Sequence, residues 1–351
     1  MLPETGADRD GLRVHSQPGP PAGWDGLLLA DPGSSPSHRA GVAEAFAAVL
    51  PGYAAEYLVA TDADGLAGGI SMCVSRLAGA EWLHAMPLML PGAPVARPAR
   101  RDAVDFALAA ALAERAAAPF TAGGEWVCYR PGAPVAAAEV ERPAGETRHF
   151  AAAVIELAGA GVRRWEVDRR ERKQLRRAER AGLACEEDPG ALDECYALHL
   201  TQARRWPGHR PYPLALMRRL LAAPQAGVEP LARLFTARNG RRLLCGIFAL
   251  DHAHETFAWW SGTHPDAREV AAARALLVWS VEWAAMRGRA RFNLGASAGL
   301  AGVASFKQSL GTIEIDYPVR WFVSTRGAAH VRLLAALQRR ARRGRHVGDS
   351  L

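Results

Sequence analysis

The stretch Phe292–Gly311 carries the residues of this chain that are best placed for chemistry, and it reads FNLGASAGLAGVASFKQSLG. A short apolar strand at Arg291–Leu294 is predicted to run into a loop that contains glycines. A helix over Leu300–Leu310 is expected next, and Gly311 follows it as a residue that commonly ends a helix. A strand, a glycine loop and a helix N-terminus together aim backbone N–H groups at an anion or a developing oxyanion. The stretch therefore predicts a binding or catalytic loop.

Lys307 lies inside this predicted helix directly after Phe306, where a lone lysine between apolar neighbours is unusual. One interpretation is a lysine that steadies negative charge at a reaction site. The other is a helix packed on a sheet, with glycines that allow close approach and a lysine stem that reaches to water. The pattern alone leaves both open, so the elements around the stretch must be considered.

Size and composition describe a globular chain with an anionic partner. The 351 residues suffice for two domains, each with a full core. The net charge of +7 and the pI near 9.5 favour nucleic acid, a phosphorylated substrate or a membrane surface as partner. The five cysteines include no C-x-x-C pair and indicate reduced, mostly buried residues. No apolar run approaches the roughly 20 residues that span a bilayer, and the N-terminus lacks a signal-peptide core, so we expect a cytoplasmic location.

The two halves of the chain repeat one order of predicted elements: a helix, a three-strand meander, a second helix and further strands. The turn signals Asp64-Gly65 and Asn239-Gly240 lie at equivalent places in the two patterns. We predict a flexible N-terminus at 1–23, domains at 24–160 and 161–325, and a basic tail at 326–351. We also predict a short strand at Leu27–Leu29. We expect each domain to have its own sheet, with a substrate cleft between or beside the domains.

Two segments are strongly basic. Residues 161–182 contain nine basic and four acidic side chains, and residues 326–351 contain seven arginines and one aspartate, so their net charges are +5 and +6. On a helix over Glu166–Gly182, Arg172, Lys173 and Arg176 share one face. This face either is solvated or binds a phosphate-bearing substrate, and the tail either is solvated or touches RNA or an anionic membrane surface.

The element order resembles the GNAT acyltransferase fold, in which the third meander strand and the strand after the crossover helix splay apart around the acyl donor. Two such domains in tandem look like the Fem family of aminoacyltransferases and its acetyltransferase-like relatives. The segments similar to family motifs are Arg172–Leu183, Trp260-Ser261-Gly262-Thr263 and Phe292–Gly311. The resemblance implies an α/β (α+β) fold of two GNAT-like domains, each a mixed, mostly antiparallel twisted sheet with flanking helices. The splayed strands would be Glu255–Gly262 and Arg291–Leu294.

The resemblance also implies roles for individual residues. The basic helix would bind the acceptor, and the Phe-Lys pair would lie at the reaction site. The family often has Asp where this chain has Asn293. The implied catalytic residues are Lys307, Phe306 and Asn293. The implied substrate-binding residues are Arg172, Lys173, Arg176, Trp260, Ser261, Thr263, Gly295 and Ser297. No metal ligands are assigned.

Acyl transfer from an activated ester or thioester to an amine is the chemistry that follows, with no tightly bound cofactor. No Ser-His-Asp arrangement is evident in the sequence. Trp259 and Trp260 are expected on alternate faces of their strand, so that one of them lines the cleft. His252, His254 and His264 are expected at turns or on the surface rather than as bases.

The donor is expected to be aminoacyl-tRNA rather than acyl-CoA. The segment after Thr263 lacks a glycine-rich pyrophosphate loop, and the two basic segments exceed what one CoA needs. The acceptor would be an amine-bearing, anionic small molecule or cell-envelope precursor. An acetyl-CoA-dependent N-acetyltransferase and a catalytically inactive, RNA-binding GNAT-like module are the alternatives. Contact with a membrane through the tail also stays open.

Overall fold

The protein is described here from a computed structural model. It describes residues 5–9, 11–77, 79–132, 145–157, 169–204, 211–222, 229–297 and 300–324. The predicted domain boundary at residue 160, most of the loop before it and the basic tail lie outside these residues. The domain limits therefore stay a prediction.

The first half contains eight strands and three helices. Its strands are β1 Thr5–Arg9, β2 Leu12–Gln17, β3 Tyr53–Asp62, β4 Gly65–Leu77, β5 Ala80–Ala85, β6 Val95–Ala96, β7 Thr121–Val127 and β8 Gly145–Glu156. Its helices are α1 Trp24–Ala30, α2 Val42–Val49 and α3 Arg101–Ala116.

The second half contains six strands and five helices. Its strands are β9 Leu183–Glu187, β10 Ala232–Asn239, β11 Arg242–Asp251, β12 Glu255–Thr263, β13 Arg291–Ala296 and β14 Ile313–Val323. Its helices are α4 Arg169–Arg180, α5 Leu192–Ala203, α6 Leu214–Leu221, α7 Ala272–Met286 and α8 Ala301–Gln308.

The fold class is as predicted, a mixed α/β protein with a large, mostly antiparallel open sheet and flanking helices. The expectation of two separate sheets is wrong, because one sheet crosses the whole molecule in the order β1-β2-β3-β4-β5-β7-β14-β8-β13-β12-β11-β10-β9. The last strand of each half pairs with a strand of the other half. The last strand of the second half, β14, pairs with β7 of the first, while β8 of the first half pairs with β13 of the second. The two shared strands also pair with each other over ten residues.

Helices cover both faces of this sheet and form its core. On one face, α2 of the first half and α5 and α6 of the second pack into a common cluster, in which α2 and α6 touch. On the other face, α3 covers the first half and α7 covers the second. The common cluster fixes the two halves to each other. The cysteines are mostly buried, as predicted: Cys73, Cys128, Cys195 and Cys245 are buried and Cys185 is half-buried.

Three predictions near element ends need correction. The N-terminus is not wholly flexible, because Leu12–Gln17 pairs with β3 and buries Leu12 and Val14. The predicted strand at Leu27–Leu29 belongs to helix α1, which buries Trp24, Leu27 and Leu28 on one side at helical spacing. The apolar spacing of Val270, Ala273 and Leu277 predicts one continuous helix from Pro265 onward, but it is interrupted, since Ala271 has a left-handed φ of 54° and α7 begins after it.

Both predicted hairpin turns are present. Asp62 pairs with Gly65, whose φ is 98°, and Asn239 pairs with Arg242 around Gly240, whose φ is 56°. Positive φ is the conformation that glycine adopts without steric cost. The meanders of both halves therefore turn where the sequence indicates.

Candidate active site

Strands β12 and β13 form a gap in the second half. They pair in parallel only from Glu255 to Phe257 on β12, although β12 continues to Thr263 and β13 to Ala296. The corresponding parallel strands of the first half, β5 and β7, stay paired over five positions from Glu81 to Ala85. The splayed pair expected from the sequence is therefore present in the second half, and the first half has no such gap among its described residues.

A buried hydrogen-bond network lies where the two strands part. The Glu255 side chain is fully buried and its Oε2 accepts hydrogen bonds from Arg291 Nε at 2.9 Å and Tyr129 Oη at 2.8 Å. Glu255 Oε1 accepts from Asn293 Nδ2 at 3.2 Å, and Asn293 Oδ1 accepts from the Gly295 N–H at 2.7 Å. Asn293 therefore fixes the conformation of the main chain at Gly295, near the end of β13, and acts on the gap only indirectly.

The same network ties the gap to the first half of the chain. Tyr129 follows β7, and the Arg291 guanidinium also donates to the carbonyl oxygens of Pro32 and Ser34 at 2.8 and 3.0 Å. Sequence reasoning missed Glu255, Arg291 and Tyr129. The available signal was a carboxylate and a guanidinium at the starts of two otherwise apolar strands, which is a pattern typical of a buried ion pair.

Lys307 fastens helix α8 to this loop. Its ammonium donates hydrogen bonds to the carbonyl oxygens of Gly295 at 2.8 Å and Ala296 at 3.0 Å, and the residue is only 7% exposed. Burial lowers the pKa of Lys307 to about 8. The alternative in which the side chain reaches out to water is therefore excluded by its position.

The chemical capacity of Lys307 depends on its proton. A charged ammonium has three N–H donors: two are used on the carbonyls of Gly295 and Ala296, and no acceptor among the described residues takes the third, which can stabilise a developing negative charge. A neutral amine has two N–H donors and one lone pair, and the same two bonds would leave the lone pair for a proton. With a pKa of about 8, both forms are accessible near neutral pH.

The remaining residues proposed for the loop lie around this lysine. Phe306 packs against α7, where the Arg274 guanidinium lies 5.2 Å from its ring centroid. Ser297 is half-buried and its carbonyl accepts the Leu300 N–H at the start of α8. Gly295 has a φ of 67°, and its N–H is occupied by Asn293. The structure thus brings Asn293, Gly295 and Lys307 together, with Phe306 facing the core beside them.

The tryptophan pair is placed differently from the prediction. A β-bulge lies between β11 and β12, where Phe248 pairs with Trp260 and Ala249 pairs with Ala258, so Trp259 is the extra residue. Both tryptophans consequently pack on the same core cluster instead of alternating. Trp260 is buried, stacks on Phe248 at 5.2 Å and donates its indole N–H to the Met217 sulfur. It fills the core and does not line the gap.

Two further residues predicted to bind substrate, Ser261 and Thr263, lie at the end of β12. Ser261 is exposed, and its carbonyl oxygen lies 3.0 Å from His199 Nδ1. Thr263 is half-buried, with its hydroxyl 3.5 Å from the Cys245 sulfur. Helix α5 passes close to this segment, because a Cβ at Gly262 would come within 2.6 Å of the Cys195 carbonyl. Ser261 therefore stays available to a ligand, while Thr263 faces a neighbouring strand.

The basic helix α4 presents its charges to solvent. Arg172, Lys173 and Arg176 are exposed, whereas Ala178, on the opposite side of the helix, is buried. Helix α4 packs on α7, on the face of the sheet that also carries α8. Among the described side chains, no carboxylate forms an ion pair with these three residues.

A cleft of about 560 Å³ separates the halves at the other end of β12. Its walls include Arg39 and His252, and Arg39 crosses it to donate to the carbonyl oxygens of Pro230 and Asp251 at 2.8 and 3.0 Å. His252 lies in the turn between β11 and β12, as expected, but it is buried, and burial lowers its pKa to about 3. The imidazole therefore stays neutral, and the contacts of Arg39 join the two halves here.

Comparison with known proteins agrees with this architecture. Residues 163–308 match the family model of the acetyltransferase (GNAT) domain. The crystal structure of FemX matches with a TM-score of 0.65 and 11% identity over 90% of this chain and 99% of FemX. No curated protein matches the chain in sequence.

Two further solved structures share the fold. One is the C-terminal domain of a putative lysylphosphatidylglycerol synthetase from Agrobacterium fabrum, with a TM-score of 0.52 and 12% identity over 80% of this chain and 89% of that one. The other is a tandem GNAT protein from the clavulanic acid biosynthesis pathway, with a TM-score of 0.50 and 13% identity over 88% and 97%. These likenesses establish the fold across both halves.

Proposed function

Since the chain has the tandem-GNAT fold of the Fem-like proteins and its residues 163–308 form a GNAT acetyltransferase domain, we propose that it is an acyltransferase. It would move an aminoacyl or acyl group from an activated ester or thioester to an amine. The observation that carries this proposal is the gap between β12 and β13, with the network of Glu255, Asn293 and Lys307 at its edge.

The reaction needs a positioned amine, a stabilised oxyanion and a leaving group. The amine nitrogen attacks the donor carbonyl carbon, the bond from that carbon to the ester oxygen or thioester sulfur breaks, and the proton that the amine nitrogen loses passes to the leaving oxygen or sulfur. The Gly295 N–H is already bonded to Asn293, so the third N–H of the Lys307 ammonium is the better donor to the oxyanion. Asn293 acts through Gly295 as a positioning residue.

We propose aminoacyl-tRNA as the donor in preference to acyl-CoA. Four backbone N–H groups in the segment that leads from β12 to α7 are bonded within the segment. Those of Asp266 and Ala267 bond to His264, that of Glu269 bonds to the Asp266 carbonyl, and that of Ala271 bonds to the Arg268 carbonyl. A pyrophosphate would need such groups free.

The acceptor is proposed to be an anionic molecule that carries an amine. The exposed basic face of α4 supports this, because arginine binds phosphate by two parallel hydrogen bonds. One structural neighbour is named for lysylphosphatidylglycerol, an aminoacylated lipid, which makes a lipid-linked or cell-envelope acceptor a reasonable class to test. Among the described residues no helix is long and apolar enough to cross a bilayer.

The test is turnover of the purified full chain with labelled aminoacyl-tRNA and, separately, with acetyl-CoA, each against a panel of amine acceptors whose products are identified by mass spectrometry. We expect transfer from aminoacyl-tRNA that is lost after ribonuclease treatment. Binding of tRNA should weaken steeply with salt, with a log–log slope of about −0.7 to −0.9 per phosphate contacted. CoA binding should depend on salt far less.

The competing function is acetyl-CoA-dependent N-acetylation, which the name of the clavulanic acid pathway neighbour favours because it refers to acetyl-CoA. Ribonuclease-resistant transfer from acetyl-CoA would select it and would leave the acyltransfer proposal intact. Salt-dependent tRNA binding without any transfer would select an inactive RNA-binding module and would contradict the proposal.

A further inference from the structure

Three polar side chains lie in a hydrogen-bonded row on the sheet of the first half. Ser75 on β4 has its Oγ 3.1 Å from His84 Nε2 on β5, and His84 Nδ1 lies 2.9 Å from Glu125 Oε1 on β7. This is the order of a nucleophile, a base and a carboxylate that orients the base. The three residues are nine and 41 positions apart in the sequence, and only strand pairing brings them together.

The register of the sheet accounts for the row. His84 pairs directly with Glu125 in the parallel ladder, so their side chains share one face. Ser75 pairs with Trp82, two residues before His84, and so lies diagonally across from the imidazole on the same face. All three groups are held by paired strands, which fix a site more firmly than loops do.

Tyr53 on β3 completes the group. Its ring stacks on the His84 imidazole with centroids 5.3 Å apart and planes 20° apart, which fixes the orientation of the base. Tyr53 pairs directly with Ser75 across β3 and β4, so the two side chains share one face of the sheet. A phenol in this position can donate to an oxyanion that forms on a carbonyl attacked by Ser75.

The row can be reached from outside. The side chains of His84 and Glu125 are 12% and 17% exposed, and Ser75 and Tyr53 are half-buried. Trp82 flanks the row and its ring lies over Gly123, where a Cβ would come within 2.8 Å of it. The surroundings are aromatic and suit an apolar ester better than a charged one.

This site is separate from the gap between β12 and β13. On β14, Ile315 lies beside Ala152, which also pairs with Ala296 at the end of β13, whereas Trp321 lies beside Glu125. The six residue steps from Ile315 to Trp321 span about 20 Å of strand. Chemistry at Ser75 would therefore not use Lys307.

We propose that Ser75, His84 and Glu125 form a second catalytic site, which takes acyl groups from esters of small carboxylic acids. The Ser75 Oγ attacks the ester carbonyl carbon while its proton passes to His84 Nε2, and Tyr53 donates to the oxyanion. The bond from the carbonyl carbon to the alcohol oxygen then breaks, and His84 returns the proton to the alcohol. Water hydrolyses the acyl-Ser75 in the same way, with its proton passing through His84, to release the acid and restore the hydroxyl.

The experiment treats the full-length protein with a fluorophosphonate, which forms a covalent adduct with activated serines, and locates the adduct by peptide mass spectrometry. We expect an adduct at Ser75. His84→Gln should slow its formation about 10²-fold or more, because the general base is removed. Tyr53→Phe keeps the stacked ring and should lower the hydrolysis of p-nitrophenyl acetate about 10²-fold.

Ser16→Ala is the matched control, since Ser16 is also a half-buried strand serine whose hydroxyl is hydrogen-bonded, but to Glu56 and not to a histidine. It should leave both readouts unchanged. A folded wild-type protein without an adduct at Ser75 overturns the proposal, and so does an adduct that forms at the same rate in folded His84→Gln protein. The wild-type result decides even if a variant does not fold, and neither readout depends on the donor or acceptor proposed for the gap.

Discussion

At the residue scale, Lys307 differs from a surface lysine because its ammonium is buried and hydrogen-bonded. It differs from a purely catalytic lysine because it also holds the main chain in place. Two of its hydrogen bonds keep Gly295 and Ala296 in place, so part of its effect on any reaction would come through the loop. The sequence identified the residue from its unusual place in an apolar helix. It did not give the partners, because these are main-chain carbonyls of a loop whose course depends on Asn293.

Replacing Lys307 by Met keeps the stem and removes the charge. If the third N–H of the ammonium stabilises the oxyanion, kcat should fall about 10²–10³-fold with little change in KM for either substrate. The wild-type rate should also decrease as the pH rises through about 8, where the ammonium loses its proton. If the wild-type rate instead rises through this pH range while the rate of the variant stays constant, Lys307 is a proton acceptor.

The lowered pKa of Lys307 also affects stability. The unfolded chain holds the proton up to the ordinary lysine pKa of 10.5, whereas burial lowers the pKa of Lys307 in the folded chain to about 8. Between these values the unfolded state binds more protons, so stability rises with pH. Wild type should gain about 2 kcal/mol over Lys307→Met between pH 8 and 9.5, measured by urea unfolding. A constant difference between the two proteins would show that the amine is not buried in solution.

Glu255 is the second residue whose removal should have a large effect. Glu255→Gln keeps the shape but leaves the Arg291 guanidinium, only 5% exposed, without its counter-charge. Loss of one partner of a buried pair typically costs about 3–5 kcal/mol, and we expect a loss of that size in urea unfolding. Glu314→Gln, at an exposed site, is the control and should change stability by less than about 0.5 kcal/mol. An equally small effect at Glu255 would contradict the network.

At the element scale, the sequence predicted most of the strands and both hairpin turns, because alternation, Asn-Gly and Asp-Gly turns and apolar runs are local signals. The splayed pair was expected from the resemblance to the GNAT fold. The sequence did not predict the positions at which one residue changes the alternation of a strand or interrupts a helix. The bulge at Trp259 turns two consecutive tryptophans to the same core, and nothing in an apolar strand marks the extra residue. Ala271 likewise interrupts a continuous helical pattern by its left-handed φ.

Helix α4 gives a prediction about an element. Arg176→Ala should raise the acceptor KM about tenfold, since one charge-assisted bond to an anion is lost, while the melting temperature stays the same because the side chain is exposed. Arg219→Ala is the matched control. It removes the same charge from an exposed position of α6, a helix that packs on the opposite face of the sheet. Equal KM values for the two variants would show that the basic face of α4 is only solvated.

At the scale of the whole molecule, the two halves are joined by exchanged strands. The repeated order of elements indicated two units, but it does not tell which unit β8 and β14 complete. The structure inserts β14 beside β7 and β8 beside β13. The gap, the buried network of Glu255 and the row at His84 all lie on one continuous sheet as a result.

This exchange predicts how the chain can be divided. A cut between residues 160 and 161 leaves β8 on the first fragment, although both its neighbours, β13 and β14, are on the second. Fragment 161–351 then has β14 with no partner and β13 with an open edge. A cut between residues 138 and 139 moves β8 to the second fragment and gives it the unbroken order β14-β8-β13-β12-β11-β10-β9.

We therefore expect fragment 139–351 to unfold cooperatively and to resist proteolysis better than fragment 161–351. This is expected even though its 22 additional residues lie outside the predicted second domain. The measurement is urea unfolding and limited proteolysis of both purified fragments, with the co-expressed pair 1–160 and 161–351 as the control that restores every strand pair. That pair should assemble into a one-to-one complex, because each fragment supplies the strand that the other lacks. A stable, cooperatively folded 161–351 on its own would show that the shared strands are not needed to hold the second half together.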